Sequence, residues 1–284
     1  MLRDEAFAHD LVADAVLRGV PQVVARRVHA QCAGWLLAHG GEPARVARHW
    51  HEGGRPLEAA QAYGLAAQRA HATARQAEEA ALHGEAAAAY GAAGRASERF
   101  EALASRVSAL IGARSDEAAV AEARTLASHA TSDLQRVRAA RVLADLLGQR
   151  GPFDEAITVG RAGIALARAC GAQDELVRLS SLTAGNLCKT GAAHDAYTML
   201  LPLREWVDAC NDDSLRHIWY GYWAATLGHI GRLREGVAAY DVAAAAAQRQ
   251  GDRPGQSMVL INQCVVLRTM GALDRACESS RRGL

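Results

Sequence analysis

The sequence predicts an all-α protein built as an α-α solenoid of stacked helical hairpins. Three observations predict it. Four residue series recur at one interval of 40 residues: Gly151, Gly191, Gly231 and Gly271; Leu147, Leu187, Leu227 and Leu267; Ala144, Ala184, Ala224 and Cys264; Ala156, Ala196, Gly236 and Ala276. A fixed period in the range of 20–50 residues is the signature of repeat architectures. Half of the 284 residues are hydrophobic, much of that alanine, whereas Phe, Trp and Tyr make up 5%. Alanine has the best helix propensity and loses no side-chain entropy. Finally, runs of β-branched residues are scarce and only six prolines occur.

The residue types in the series have a physical reason. Glycine accepts the positive φ of a helix C-terminus. Small residues let facing helices approach, and leucine fills the space beside them. A second set of stops, Gly171, Asn211 and Gly251, lies midway between the first and is again spaced by 40. Pro152 and Pro254 suit the first turn of a helix. Earlier units are looser: Glu78-Glu79-Ala80, Asp116-Glu117-Ala118 and Asp154-Glu155-Ala156 follow each other at 38 residues. Ser132 with Gln135 forms a capping box. The expected hairpins are 57–72/75–92, 97–111/115–130, 132–149/152–170, 173–189/192–210, 213–229/232–250 and 254–270/272–284. The last helix stops at Leu284, short of its predecessors, so the final repeat is expected to be incomplete.

Leu143-Ala144, Leu147, Gly151 and Asp154-Glu155-Ala156 resemble the tetratricopeptide pattern. The likeness covers about residues 57–284 and implies a right-handed superhelix. The period departs from it, being 38–40 where about 34 is usual. So does the early helix position normally held by a large aromatic, here Ala140, Ser180, Tyr220 and Leu260.

Residues 1–56 differ and are expected to form a helical junction. Phe7-Ala8-His9-Asp10-Leu11-Val12 opens an amphipathic helix reaching Val16. Arg26-Arg27-Val28-His29 follows Val20-Pro21 on a second, and Ala44 to Trp50 forms a third before Gly53-Gly54. This order resembles the passage from winged-helix segment to helical repeats in STAND-type NTPases, among them LuxR-type ATP-dependent bacterial transcriptional regulators. The resemblance implies an upstream nucleotide switch. Nothing in this chain matches GxxxxGK followed by Ser or Thr, so neither the ATPase residues nor the DNA-reading helix can be carried over.

Bulk properties narrow the role. With 32 basic and 31 acidic residues, the formal charge is +1, unlike the basic bias of an autonomous nucleic-acid binder. No stretch reaches 18 apolar residues, so no membrane span is expected, and the cytoplasm is the expected location. The six cysteines (Cys32, Cys170, Cys188, Cys210, Cys264, Cys277) lie in helical patterns without CxxC and are expected to be small buried thiols. No metal, cofactor or catalytic group is expected. His49 and His51 stand at i and i+2, which do not face each other on a helix, so His49 is read as packing at the start of the repeats.

The functional candidate is a surface. Groove positions of the tetratricopeptide pattern fall on Arg138, Arg141, Asp145 and Gln149; Arg178, Ser181 and Lys189; Ile218 and His229; and Met258, Ile261, Val265, Arg268 and Thr269. That face would be basic in its middle and apolar toward the C-terminus. In Trp219-Tyr220-Gly221-Tyr222-Trp223, Tyr220 and Trp223 should pack inward. Trp219 and Tyr222 are left for the groove or the adjacent repeat, with an inter-repeat filler opposite Trp206 as the alternative. The expected function is a non-catalytic scaffold that binds a protein, a peptide or a small-molecule inducer within such a regulator. A free-standing adaptor is the alternative.

Overall fold

The computed structural model describes residues 19–283 and, before them, the backbone of residues 2–3 and 6–7. Strands β1 (Leu2–Arg3) and β2 (Ala6–Phe7) form a short antiparallel pair. The helix expected over Phe7–Val16 lies outside the described residues except for Phe7, which is extended. Every later element is helical. The chain divides into two compact units, Met1–Thr131 and Ser132–Leu284.

In the first unit, α1 (Gln22–Ala38) and α2 (Pro43–Glu52) precede α3 (Pro56–Ala72), α4 (Gln76–Ala92), α5 (Ala96–Gly112) and α6 (Asp116–Leu126), which ends in a 3-10 turn at Ala127–His129. Helices α3 to α6 begin at 20-residue intervals, so each hairpin spans 40. The acidic triplets spaced by 38 therefore sit at different places in their helices: Glu78 is the third residue of α4, Asp116 the first of α6. The turn residues explain why the pattern is faint. The left-handed position is taken in order by Gly54, Ala74, Gly94 and Arg114, with φ of 69°, 55°, 71° and 57°. Two of the four are not glycine.

The core of this unit is mostly alanine: Ala59, Ala60, Ala86 and Ala87 pack with Val46, Ala47 and Tyr63. Val46 and Ala47 come from α2, so packing is continuous across the boundary expected at 56/57. Glu42 caps α2, its carboxylate accepting from the N–H groups of Ala44 and Arg45 at 3.1 and 2.8 Å.

The second unit contains α7 (Asp133–Arg150), α8 (Phe153–Ala169), α9 (Gln173–Lys189), α10 (Ala193–Leu200), α11 (Arg204–Ala209), α12 (Asp213–His229), α13 (Leu233–Gln250), α14 (Arg253–Thr269) and α15 (Leu273–Gly283). As the capping box predicts, the Ser132 hydroxyl accepts from Gln135 N–H at 3.2 Å. Gly151, Gly171, Gly191, Gly231, Gly251 and Gly271 all have positive φ. Leu147, Leu187, Leu227 and Leu267 are 1–3% exposed.

Three expectations need correction. The helix expected over 192–210 is broken by a 3-10 turn at Leu201–Leu203. Pro202 has no N–H to continue the ladder. Asn211 does not adopt a left-handed conformation: α11 ends in extended Cys210, and Asp212 then caps α12 by accepting from Ser214 and Leu215 N–H. Of the six cysteines, all unpaired, only Cys188 is buried; Cys32, Cys210 and Cys264 are half-buried, and Cys170 and Cys277 are exposed. Among the described residues no helix is long and apolar enough to cross a membrane.

Candidate ligand-binding face

Helices α7, α9, α12 and α14 open the four hairpins of the second unit and carry the residues the sequence singles out. Asp145, Gln149, Lys189 and Tyr222 are brought together. With Gly148, Leu182, Gly185 and Asn186 they line a cavity of about 60 Å³. Two glycines make it. A Cβ on Gly148 would lie 2.6 Å from the Asn186 amide, and one on Gly185 would lie 2.4 Å from the Tyr222 ring. The Lys189 ammonium donates to the Gly148 carbonyl at 2.5 Å and sits 5.0 Å from the centre of the Phe153 ring. Burial, and secondarily the Asp145 carboxylate, pushes the Tyr222 phenol up to about 12. It is therefore a neutral hydrogen-bonding group at physiological pH.

A second cavity, of about 380 Å³, is lined by Ala225, Gly228, His229, Asn262, Val265, Val266 and Thr269, closed by Leu233 and Tyr240. Its first seven residues stand 80 positions after Asp145, Gly148, Gln149, Leu182, Gly185, Asn186 and Lys189. The two cavities are thus the same structural site, two hairpins apart. Their chemistry differs: Asp145 becomes Ala225, Asn186 becomes Val266 and Lys189 becomes Thr269. At the site between them, the Tyr222 ring fills the space left by Gly185.

Around the second cavity, exposed apolar and polar side chains alternate. Met258, Ile261 and Val265 are 60%, 49% and 57% exposed, and His229, Arg268 and Thr269 are exposed beside them. Met258, Ile261 and Val265 follow one another at intervals of three and four residues and so share one face of α14.

The basic middle resolves differently. Arg141 Nε donates to Glu175 at 2.8 Å, and Arg178 Nη2 to the Ser214 hydroxyl at 3.2 Å. Each contact joins one hairpin to the next, so these two guanidiniums hold the stack together. Arg138 and Ile218 are half-buried. Ser181 is fully buried, and its hydroxyl meets no partner among the described residues.

The aromatic run is mostly core. Trp219 is fully buried and stacks on Trp223 at 5.2 Å, so it is not part of a surface. Trp223 and Tyr220 are buried as expected, the Tyr220 hydroxyl donating to Asp208. Sequence reasoning missed Gly148, Leu182, Gly185 and Asn186. A signal was present: glycine inside a helix disfavours the helix unless a close approach requires it.

No family model matches the sequence, and no curated protein does. Similarity appears in solved structures. Apo RapI aligns with a TM-score of 0.62 at 9% identity, covering 91% of this chain and 96% of its own. The Rap protein complexed with Competence and Sporulation Factor aligns with a TM-score of 0.57 at 12% identity, over 95% and 76%. BtubC (BKLC) from P. vanneervenii gives 0.56 at 16%, over 77% and 89%. The likeness is one of fold. It supports an all-α helical-repeat fold, and at these identities nothing about a ligand carries over.

Proposed function

We propose that the second unit is a non-catalytic scaffold that binds an extended peptide segment of a partner along α7, α9, α12 and α14. One observation carries this reading. Equivalent positions two hairpins apart line two cavities of different chemistry, the first holding Asp145 and Lys189 where the second holds Ala225 and Thr269. A row of equivalent sites with different linings is suited to reading successive side chains of an extended ligand. The larger cavity falls within the size range of ligand pockets and would take an apolar side chain. The smaller holds only a few atoms, and with the Asp145 carboxylate beside Lys189, Asn186 and Tyr222 it suits a neutral amide group rather than a second carboxylate. One fold neighbour is itself a complex, of a Rap protein with Competence and Sporulation Factor, so the architecture is compatible with such a role.

We further infer that the scaffold senses this ligand for a LuxR-type STAND regulator. The support is the motif order of residues 1–56. Binding would bias a nucleotide switch only if the ligand's affinity differs between the two switch states. A phosphate-binding loop encoded upstream in the same reading frame supports the regulator; a stop codon there supports a free-standing adaptor.

The binding test is a random-peptide display selection on the full chain. Selected peptides are expected to lose at least tenfold affinity for Met258→Asp/Val265→Asp, with the circular dichroism spectrum unchanged. Peptides that bind this variant as tightly as the parent chain contradict the proposed face.

A further inference from the structure

In the first unit, His29 on α1 meets two residues of α2. Its Nδ1 lies 2.9 Å from His49 Nδ1 and 3.0 Å from Glu52 Oε2. One donor atom from each of the three lies within 4.8 Å of the other two. His49 and Glu52 are three apart and so share a helix face, which His49 and His51 do not. The geometry depends on a close approach. A Cβ on Gly53, at the end of α2, would stand 3.0 Å from the Ala30 amide nitrogen. The glycine lets α2 press against α1 beside His29.

The protonation of this group does not balance. If His29 carries the proton on Nδ1, a single N–H faces two acceptors, the His49 nitrogen and the Glu52 carboxylate. If His49 carries it instead, His29 presents a lone pair to the carboxylate. With either tautomer one proton serves three electron-rich atoms. A cation placed between them would engage all three at once.

We propose that His29, His49 and Glu52 form a binding site for a divalent transition ion of the zinc class. Two imidazoles and a carboxylate are ligands that zinc accepts, with bonds of about 2.0–2.2 Å and roughly 3.3 Å between tetrahedral ligand atoms. The observed 2.9 and 3.0 Å would open by a few tenths of an ångström. The hard ions magnesium and calcium prefer all-oxygen sets. The side chains of His29 and Glu52 are 31% and 45% exposed, which leaves the fourth position open to water. An ion held there would clip α1 to α2 and so to the alanine core that α2 shares with α3. Because it binds the folded arrangement only, it would stabilise that arrangement in proportion to its occupancy.

The test is isothermal titration of zinc chloride into the metal-free full chain, repeated with cobalt(II), whose visible absorption reports tetrahedral coordination. One equivalent of zinc is expected to bind. Its affinity should fall at least tenfold in His29→Ala and in His49→Ala. Glu52→Gln should also weaken binding, and its near-identical shape keeps the test readable if either histidine variant misfolds. His83→Ala removes a histidine of a separate pair, with Glu79, and should change nothing. Absence of stoichiometric binding, or equal affinity in the parent chain and in Glu52→Gln, would overturn the proposal. So would a loss in His83→Ala as large as that in His49→Ala.

Discussion

The two units solve the same packing problem with different residues. In 1–131 the buried side chains are mainly alanine, with Phe100 and Tyr63 among the few large ones. In 132–284 buried alanines remain common, but a row of leucines with Ile164, Trp219, Trp223 and Tyr240 is added to them. The turns differ as well. Among the described residues of the second unit, the six with positive φ are all glycines, whereas the first uses Ala74 and Arg114 at two of the positions in α3 to α6. An alanine core depends on helix propensity and close backbone approach. A core of large side chains gains roughly 1.5–3 kcal/mol for each Leu- or Phe-sized residue buried. The two cavities of the candidate face lie in this second unit.

The largest expected effect bears on that core. Trp219→Ala should destabilise the second unit by about 3–5 kcal/mol, seen as faster amide exchange across 213–250. A cost below about 1 kcal/mol would mean that the aromatic core is not what holds this unit. Next comes the close approach at the small cavity. Gly185→Ala places a methyl against the Tyr222 ring and should cost about 1–3 kcal/mol in urea unfolding. It should also weaken selected peptides that use the Lys189 end.

The turns sharpen the comparison with opposite signs. Ala74→Gly and Arg114→Gly should each stabilise by up to about 1 kcal/mol, since a left-handed residue with a Cβ costs roughly 1–2 kcal/mol. Gly191→Ala and Gly231→Ala should cost about that amount. The same sign at all four positions in urea midpoints would break the account of the turns.

The smallest effect is electrostatic. Arg249 donates to Asp213 at 2.8 and 2.5 Å and holds that carboxyl below its ordinary value. A depressed carboxyl contributes stability that is fully present above its unfolded value, about 3.9. The contribution is lost as pH falls from there through the folded value. The melting-temperature difference between the parent chain and Arg249→Gln should therefore shrink on acidification from pH 5 to pH 3.

Much of this was legible in the sequence, for identifiable reasons. The 40-residue spacing of Gly151 and Leu147 located the hairpins of the second unit because a turn and a core position each tolerate few residue types. Ala74 and Arg114 concealed the equivalent spacing in the first unit, because a strained residue leaves no compositional trace. Asp145, Gln149, Lys189 and Tyr222 could be grouped because groove positions follow helical periodicity. Arg141 and Arg178 could not be separated from them, since their partners Glu175 and Ser214 lie one hairpin away. Trp219 was assigned to the groove because the repeat register gave the inward positions to Tyr220 and Trp223, yet it is fully buried and stacks on Trp223. His29 stands 20 residues before His49, and only the packing of α2 on α1 joins them.

The central claim is that ligand is read along α7, α9, α12 and α14. Hydrogen–deuterium exchange on the full chain, with and without a selected peptide, tests it most directly. The account predicts added protection in the segments 145–149, 182–189, 222–229 and 258–269. Protection confined to α8, α13 and α15 would place the ligand on the other helices of the hairpins and contradict it.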